Sequence, residues 1–259
     1  GSEMCIRDRA KSEREMSQLR GQRISMIFQN PGTALNPVFT VDEQMTRVTR
    51  EHLGLSKKQS SLRAGEMLEA VGLADVGRVL AAYPHQLSGG MLQRVMIAMA
   101  LLCQPSLIIA DEPTTALDVT IQAQILALLR NLREEFGVSI LLITHDLGVV
   151  AHTCDRVAVL YAGRVVETGR VQEILEAPHH PYTSGLLAAI PTTAQRGSEL
   201  VAIPGSVPAN PGAVVGCAFA PRCRYAFDRC HTQAPELRTV GAGRQQSACF
   251  LEAIPEAEL

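Results

Sequence analysis

The sequence predicts an α/β chain with a mostly parallel sheet. Two observations predict it. Short apolar runs at residues 24–28, 107–110 and 138–144 alternate with stretches of helical periodicity, and strands that alternate with helices of this length form parallel sheets. The composition then changes after residue 176, where Pro178, Pro181, Pro191, Pro204, Pro208, Pro211, Pro221 and Pro235 punctuate the chain. A boundary near Ala177 is expected, with a C-terminal appendage beyond it.

Residues 1–10 fit no element. Residues 11–23 carry Glu13, Arg14, Glu15, Arg20 and Arg23 and read as a solvated helix or loop. The strand at 24–28 runs into a turn, Gln29-Asn30-Pro31-Gly32. Residues 42–100 read as helical, broken at Gly54-Leu55-Ser56, at Gly72 and at Tyr83-Pro84. Leu87 leads into a Ser88-Gly89-Gly90 turn, and the helix after it, 91–103, stops before Pro105. After the strand at 107–110, Asp118 can cap a helix whose Ile121, Ile125, Leu128, Leu129 and Leu132 recur at helical spacing as far as Gly137. Residues 138–144 form a buried strand and Asp146 can cap another helix. Residues 156–161 and 164–167 read as a hairpin across Ala162-Gly163.

The chain has 259 residues, 46% of them hydrophobic, and a net charge of −2. One large domain, or a domain plus an appendage, is expected. Nothing in the global charge points to nucleic acid or an anionic membrane. The longest apolar run, 95–103, is far short of the ~20 residues that span a bilayer. No apolar signal segment opens the chain, so a cytosolic protein that can dock on membrane partners is expected.

The chemistry concentrates in three places. A Ser-Gly-Gly turn that opens a helix presents backbone N–H groups to an anion, and Ser88, Gly89 and Gly90 form one. Read alone, they are an ordinary helix cap. The run 107–113, Leu-Ile-Ile-Ala-Asp-Glu-Pro, ends an apolar strand in two carboxylates. Adjacent residues on a strand point to opposite sides, so Asp111 and Glu112 are expected to differ in role: one holds Mg²⁺, the other orients a water. His145 ends the next apolar strand, 33 residues after Glu112. Gln29 ends the first strand and can offer its amide oxygen to a metal or a water.

Phosphate turn, acidic strand and strand-end histidine, in that order, resemble the ATP-binding subunit of an ABC transporter. Residues 82–91, 118–126, 145–151 and 180–183 narrow the resemblance to the oligopeptide/dipeptide importer ATPases. It covers roughly residues 11–250, with 11–176 as a partial ATPase domain, 42–100 as its helical subdomain and 177–259 as the family's C-terminal extension. Residues 203–208 also resemble that extension. The resemblance implies ATP and Mg²⁺ as cofactors. It implies that Asp111 and Gln29 serve the magnesium ion, that Glu112 is the general base, and that His145 and Gln29 sense the γ-phosphate. Ser88, Gly89, Gly90 and Asp118 would serve nucleotide bound by a partner. The family usually has an acidic residue after the glutamine, where this chain has Asn30. A second ATPase subunit, two membrane permeases and an extracytoplasmic peptide-binding protein are the implied partners, with no nucleic acid. The implied place is the cytoplasmic face of the cell membrane.

No G-x-x-x-x-G-K-[ST] stretch occurs in the 259 residues, although a complete ATPase of this kind needs one to wrap the β- and γ-phosphates. The chain therefore reads as N-terminally truncated and inactive by itself. The alternatives are a non-hydrolysing regulatory or binding protein of the same family, or an importer ATPase for another solute such as a nickel chelate. A soluble ABC protein acting on ribosomes or DNA would need tandem domains or coiled coils. Gln29 and Ser88 are 59 positions apart, which leaves room only for a compact helical subdomain.

Four of the seven cysteines, Cys217, Cys223, Cys230 and Cys249, fall near the C-terminus. Their wide spacing suits a [4Fe–4S] cluster better than Zn²⁺, with free thiols as the third reading. Arg222, Arg224 and Arg229 could offset cluster charge, and His231 is a weaker alternative ligand. Cys103 and Cys154 read as inert core residues.

Overall fold

The computed structural model describes residues 11–115, 117–190, 202–241 and 243–255. They form two compact units, one ending at His145 and the other beginning at Asp146. The composition change near Ala177 thus falls inside the second unit: proline content marks where regular structure thins, whereas unit boundaries follow packing.

In the first unit, α1 (Glu13–Leu19) is capped by Ser12 and buries nothing, as its charges predict. The parallel sheet has the order β1 (Ile24–Ile27), β2 (Leu107–Asp111) and β3 (Ser139–Ile143). Ile24 pairs with Leu107 and Leu107 with Ser139. α2 (Pro31–Ala34) is a single turn capped by Asn30, whose side chain accepts the Gly32 N–H, where the sequence showed only a turn.

The helical stretch resolves into α3 (Val41–Leu53), α4 (Lys57–Ala70), α5 (Val76–Ala81), a 3₁₀ turn (Pro84–Gln86) and α6 (Gly89–Leu101). Capping boxes start α3 at Thr40/Glu43 and α4 at Ser56/Gln59. Gly54 ends α3 with φ 64°, a left-handed conformation that glycine adopts without steric cost. α6 begins two residues earlier than expected, because Ser88 caps it and both glycines take helical geometry. α7 (Val119–Phe136) follows Asp118 and stops at Gly137, as its periodicity predicts.

Alternation along the strands sends Ile27, Ile108 and Ala110 into the core shared with Val95, Ile97, Leu101, Ile125, Leu129 and Leu132. Each such buried valine, leucine or isoleucine side chain is worth about 1.5–3 kcal/mol relative to exposure. The opposite face shows Met26, Leu141 and Ile143 to solvent.

In the second unit, α8 (Leu147–Thr153) is capped by Asp146. β4 (Arg156–Tyr161) and β5 (Arg164–Arg170) form the expected hairpin, three residues longer than its pattern and bulged between Val159 and Leu160. Ala162 and Gly163 both take positive φ, the two-residue turn that matches strand twist. α9 (Val171–Glu176), α10 (Pro181–Ala188), α11 (Asp228–Thr232), β6 (Arg238–Thr239) and β7 (Gln246–Ser247) follow, and the antiparallel sheet has the order β4-β5-β7-β6. Val159, Tyr161, Val166 and Phe219 form its small core. Glu167, fully buried on β5, accepts the His179 and His180 backbone N–H groups and the Gln245 amide.

Candidate nucleotide site

The carboxyl ends of parallel strands are where α/β sheets place ligands, and the predicted residues gather there. Gln29 lies two residues beyond β1, Glu112 one beyond β2 and His145 two beyond β3. The Glu112 N–H still donates to the Ile143 carbonyl at 2.9 Å, so the sheet anchors this backbone past its last strand residue. Glu112 has φ +44°, a left-handed conformation unusual for a side chain of its size. This departs from simple alternation: Asp111 is the last strand residue, and the backbone has already turned at Glu112.

The Glu112 carboxylate is held by three side chains. Oε2 accepts from Gln29 Nε2 at 2.7 Å and from Thr115 Oγ1 at 2.9 Å. Oε1 lies 3.0 Å from His145 Nδ1. These bonds, with His145 and Thr115 first, draw the carboxyl below its ordinary range. The Glu112 side chain is 25% exposed and that of His145 77%. An ionised carboxylate with an imidazole and an amide beside it can orient a water and accept its proton. Sequence reasoning gave Thr115 no role. The signal that could have found it is the Glu-Pro-Thr-Thr turn, because proline favours the second turn position and brings the fourth residue back to the first.

Asp111 is half-buried, at the end of β2. Asp118 caps α7, its Oδ1 accepting the Ile121 N–H at 3.0 Å. Ser88 caps α6 by accepting the Met91 N–H at 3.4 Å. A methyl on Gly89 would meet nothing within 4 Å, whereas one on Gly90 would touch the Ile121 side chain at 3.3 Å. The Ser88–Gly90 turn thus sits against the first turn of α7, with Gly89 facing open space. Among the described residues no hydrogen bond joins this turn to the Glu112 cluster. The structure brings Gln29, Glu112 and His145 together, and leaves Ser88, Gly89 and Gly90 as a separate surface beside Asp118.

The four-cysteine expectation needs correcting. Cys217, Cys223, Cys230 and Cys249 do line one pocket of the second unit, a cavity of about 20 Å³ shared with His180, Phe219 and Phe250. His231 is not part of the lining. Yet among the described residues no group of three or more histidine, cysteine, aspartate or glutamate side chains is placed to hold a metal ion, so the residues as arranged do not fit an iron–sulfur cluster or zinc. All four thiols are free, and burial pushes those of Cys217, Cys223 and Cys249 up. The arginines have other work. Arg222 donates to the Ile203 and Pro204 carbonyls, Arg224 lies over the Tyr225 ring, and Arg229 stacks on Phe250 with 4.1 Å to the ring centroid. Cys103 is buried as expected, whereas Cys154 ends α8 partly exposed.

Comparison with known proteins bears on the family and the fold. Residues 3–115 match the ABC transporter family, and residues 166–230 match the oligopeptide/dipeptide transporter C-terminal region. The chain is 52% identical to the oligopeptide transport ATP-binding protein AppD of Bacillus subtilis over 240 residues, 93% of this chain and 73% of that protein. It is 50% identical to the oligopeptide transport ATP-binding protein OppD of Salmonella typhimurium over 92% of this chain and 70% of that protein. Among solved structures it resembles the dimeric ATP-binding cassette MJ0796 bound to ADP and Pi, with a TM-score of 0.55 and 32% identity over 62% of this chain and 68% of the other. The chain belongs to the ABC ATPases of the oligopeptide/dipeptide transporter family.

Proposed function

We propose that this chain is the ATP-hydrolysing subunit of an importer for oligopeptides or dipeptides. The observation that carries the reading is the Glu112 carboxylate held by Gln29 and His145 at the ends of three adjacent parallel strands. The relatives' names supply the solute class.

In this reading Glu112 is the general base. A glutamate carboxylate is already ionised at neutral pH, and the downward shift leaves Glu112 so, with an oxygen able to accept a proton from the attacking water. Gln29 and His145 stand beside it as polar contacts for the water and the terminal phosphate. The donor set suits Mg²⁺, which binds through one or two carboxylates plus phosphate oxygens. Asp111 and the Gln29 amide oxygen would hold the ion, and the ion would neutralise phosphate charge.

No G-x-x-x-x-G-K-[ST] stretch to wrap the triphosphate occurs in these 259 residues. Ser88, Gly89 and Gly90 present an open helix start at a distance from Glu112's own bonds, which suits service to nucleotide held by a second ATPase subunit, with Asp118 beside it. Two membrane permeases and an extracytoplasmic binding protein complete the assembly. The chain would be peripheral at the cytoplasmic face: no described helix is long and apolar enough to cross a membrane.

The test is Mg-ATP turnover by the assembled importer with Glu112→Gln in this subunit. Loss of a general base lowers the rate about 10²- to 10⁴-fold. Turnover equal to the parent's would remove Glu112 from that role and the proposal with it.

A further inference from the structure

We propose that Thr115 is a positioning residue for the Glu112 carboxylate, its hydroxyl fixing one oxygen so that the other faces the reacting water. This rests on Glu112 being the base.

Three observations converge on it. Thr115 bonds Glu112 twice: its backbone N–H donates to the Glu112 carbonyl at 3.1 Å, and its hydroxyl donates to Oε2 at 2.9 Å. Pro113 sits at the second position of that turn, where its fixed φ is pre-organised. The distance from Thr115 to Glu112 is therefore set locally, by four residues. The other two partners arrive from elsewhere, Gln29 beyond β1 and a largely exposed His145 beyond β3.

The division of labour follows. A ligand entering between the strand ends competes for the Gln29 amide and the His145 ring, since both can serve phosphate or water. The Thr115 hydroxyl belongs to the same turn as the carboxylate, and the backbone bond that closes the turn keeps it beside Oε2. When Gln29 and His145 turn to the ligand, Thr115 still holds Oε2. That leaves Oε1 as the proton acceptor, in one orientation. A glutamate side chain has three rotatable bonds, and a misplacement on the order of 1 Å at a reacting group costs up to about 10²-fold in rate.

Thr115→Val keeps the β-branched shape and removes the hydroxyl. Thr115→Ser keeps the hydroxyl and removes a methyl. In the assembled importer, Thr115→Val is expected to lower kcat for Mg-ATP about tenfold with KM within about twofold, and Thr115→Ser to restore kcat to within about twofold of the parent. Thr115→Ala, a second removal of the hydroxyl, should show the same roughly tenfold loss of kcat, and stands in for the valine variant should that one fail to assemble. Adding Thr115→Val to Glu112→Gln should cause no further loss, because the hydroxyl acts through the carboxylate. A parental kcat in both hydroxyl-less variants, failure of serine to rescue, or a change in KM in place of kcat would overturn the proposal. A collapse of turnover in Glu112→Gln beside parental Thr115→Val sinks this inference alone. Parental turnover in Glu112→Gln sinks the base assignment and this inference together.

Discussion

Gln29 Nε2 donates to Glu112 Oε2 at 2.7 Å across 83 positions of sequence. The register of β1 on β2 explains the meeting. Ile24 pairs with Leu107 and Ile27 with Ala110, so each residue of the first strand faces the residue 83 positions later. Gln29 and Glu112 continue that register beyond the last paired residues.

Replacing Gln29 by alanine removes this amide and leaves His145 and Thr115 on the carboxylate. Mg-ATP turnover of the assembled importer is expected to fall about tenfold while the sheet stays intact, because the amide carries no apolar burial. Hydrolysis kinetics, with circular dichroism as the control, check it. A parental rate would mean that the contact is incidental.

Asp118 is the N-cap of α7 in this structure, whatever else it does for nucleotide. Asp118→Ala should lower the stability of the first unit by about 1 kcal/mol, and Asp118→Asn should recover most of the loss, because asparagine caps about equally well. Urea unfolding followed by helix signal measures both. If the alanine variant unfolds at the parental midpoint, the bond to the Ile121 N–H contributes nothing.

Gly216 is fixed by close approach. A methyl there would lie 2.3 Å from the Cys230 carbonyl oxygen and 2.7 Å from backbone atoms of His231. Backbone cannot swing aside as a side-chain tip can, so Gly216→Ala is expected to cost more than about 2 kcal/mol. It should also open the cysteine pocket, read as faster reaction of Cys217 and Cys230 with a thiol reagent. Parental stability and parental thiol reactivity together would contradict this packing.

His180 is buried, its Nδ1 accepting the Tyr182 N–H at 3.0 Å, and burial brings its pKa down from 6.5 to about 4. The unfolded state therefore binds more protons than the fold between these two values. The stabilisation is fully present above pH 6.5 and is lost as the pH falls from 6.5 to about 4, by about 3 kcal/mol in all. Unfolding midpoints of the second unit at pH 7, 5.5 and 4.5 should show the decline, and His180→Asn should flatten it. A slope shared by the variant would assign it to other groups.

Much of this molecule was legible in its residues. The periodicity of α7, its cap at Asp118, its stop at Gly137 and the Ala162-Gly163 hairpin are local features, set by side chains within a few positions of one another. Asp111-Glu112 and His145 were each legible as polar ends of apolar strands for the same reason, since strand and turn chemistry are written in short stretches. The Thr115 hydroxyl on Glu112 belongs to the local Glu-Pro-Thr-Thr turn, but its direction depends on the left-handed backbone at Glu112, which composition does not show. The cysteines show the limit from the other side. Spacing brought four thiols to mind as one ligand set, and the fold does bring them to one pocket, but it does not place them to hold a metal.

By itself the sequence determined the order of strands and helices, their caps and the residue types at the site, because each of these follows from neighbours in the chain. Only the tertiary structure decided that Gln29 and His145 converge on the Glu112 carboxylate, and that the two compact units divide between His145 and Asp146. Strand register and long-range packing are set by the burial of whole faces against one another, and no short stretch of residues contains that information.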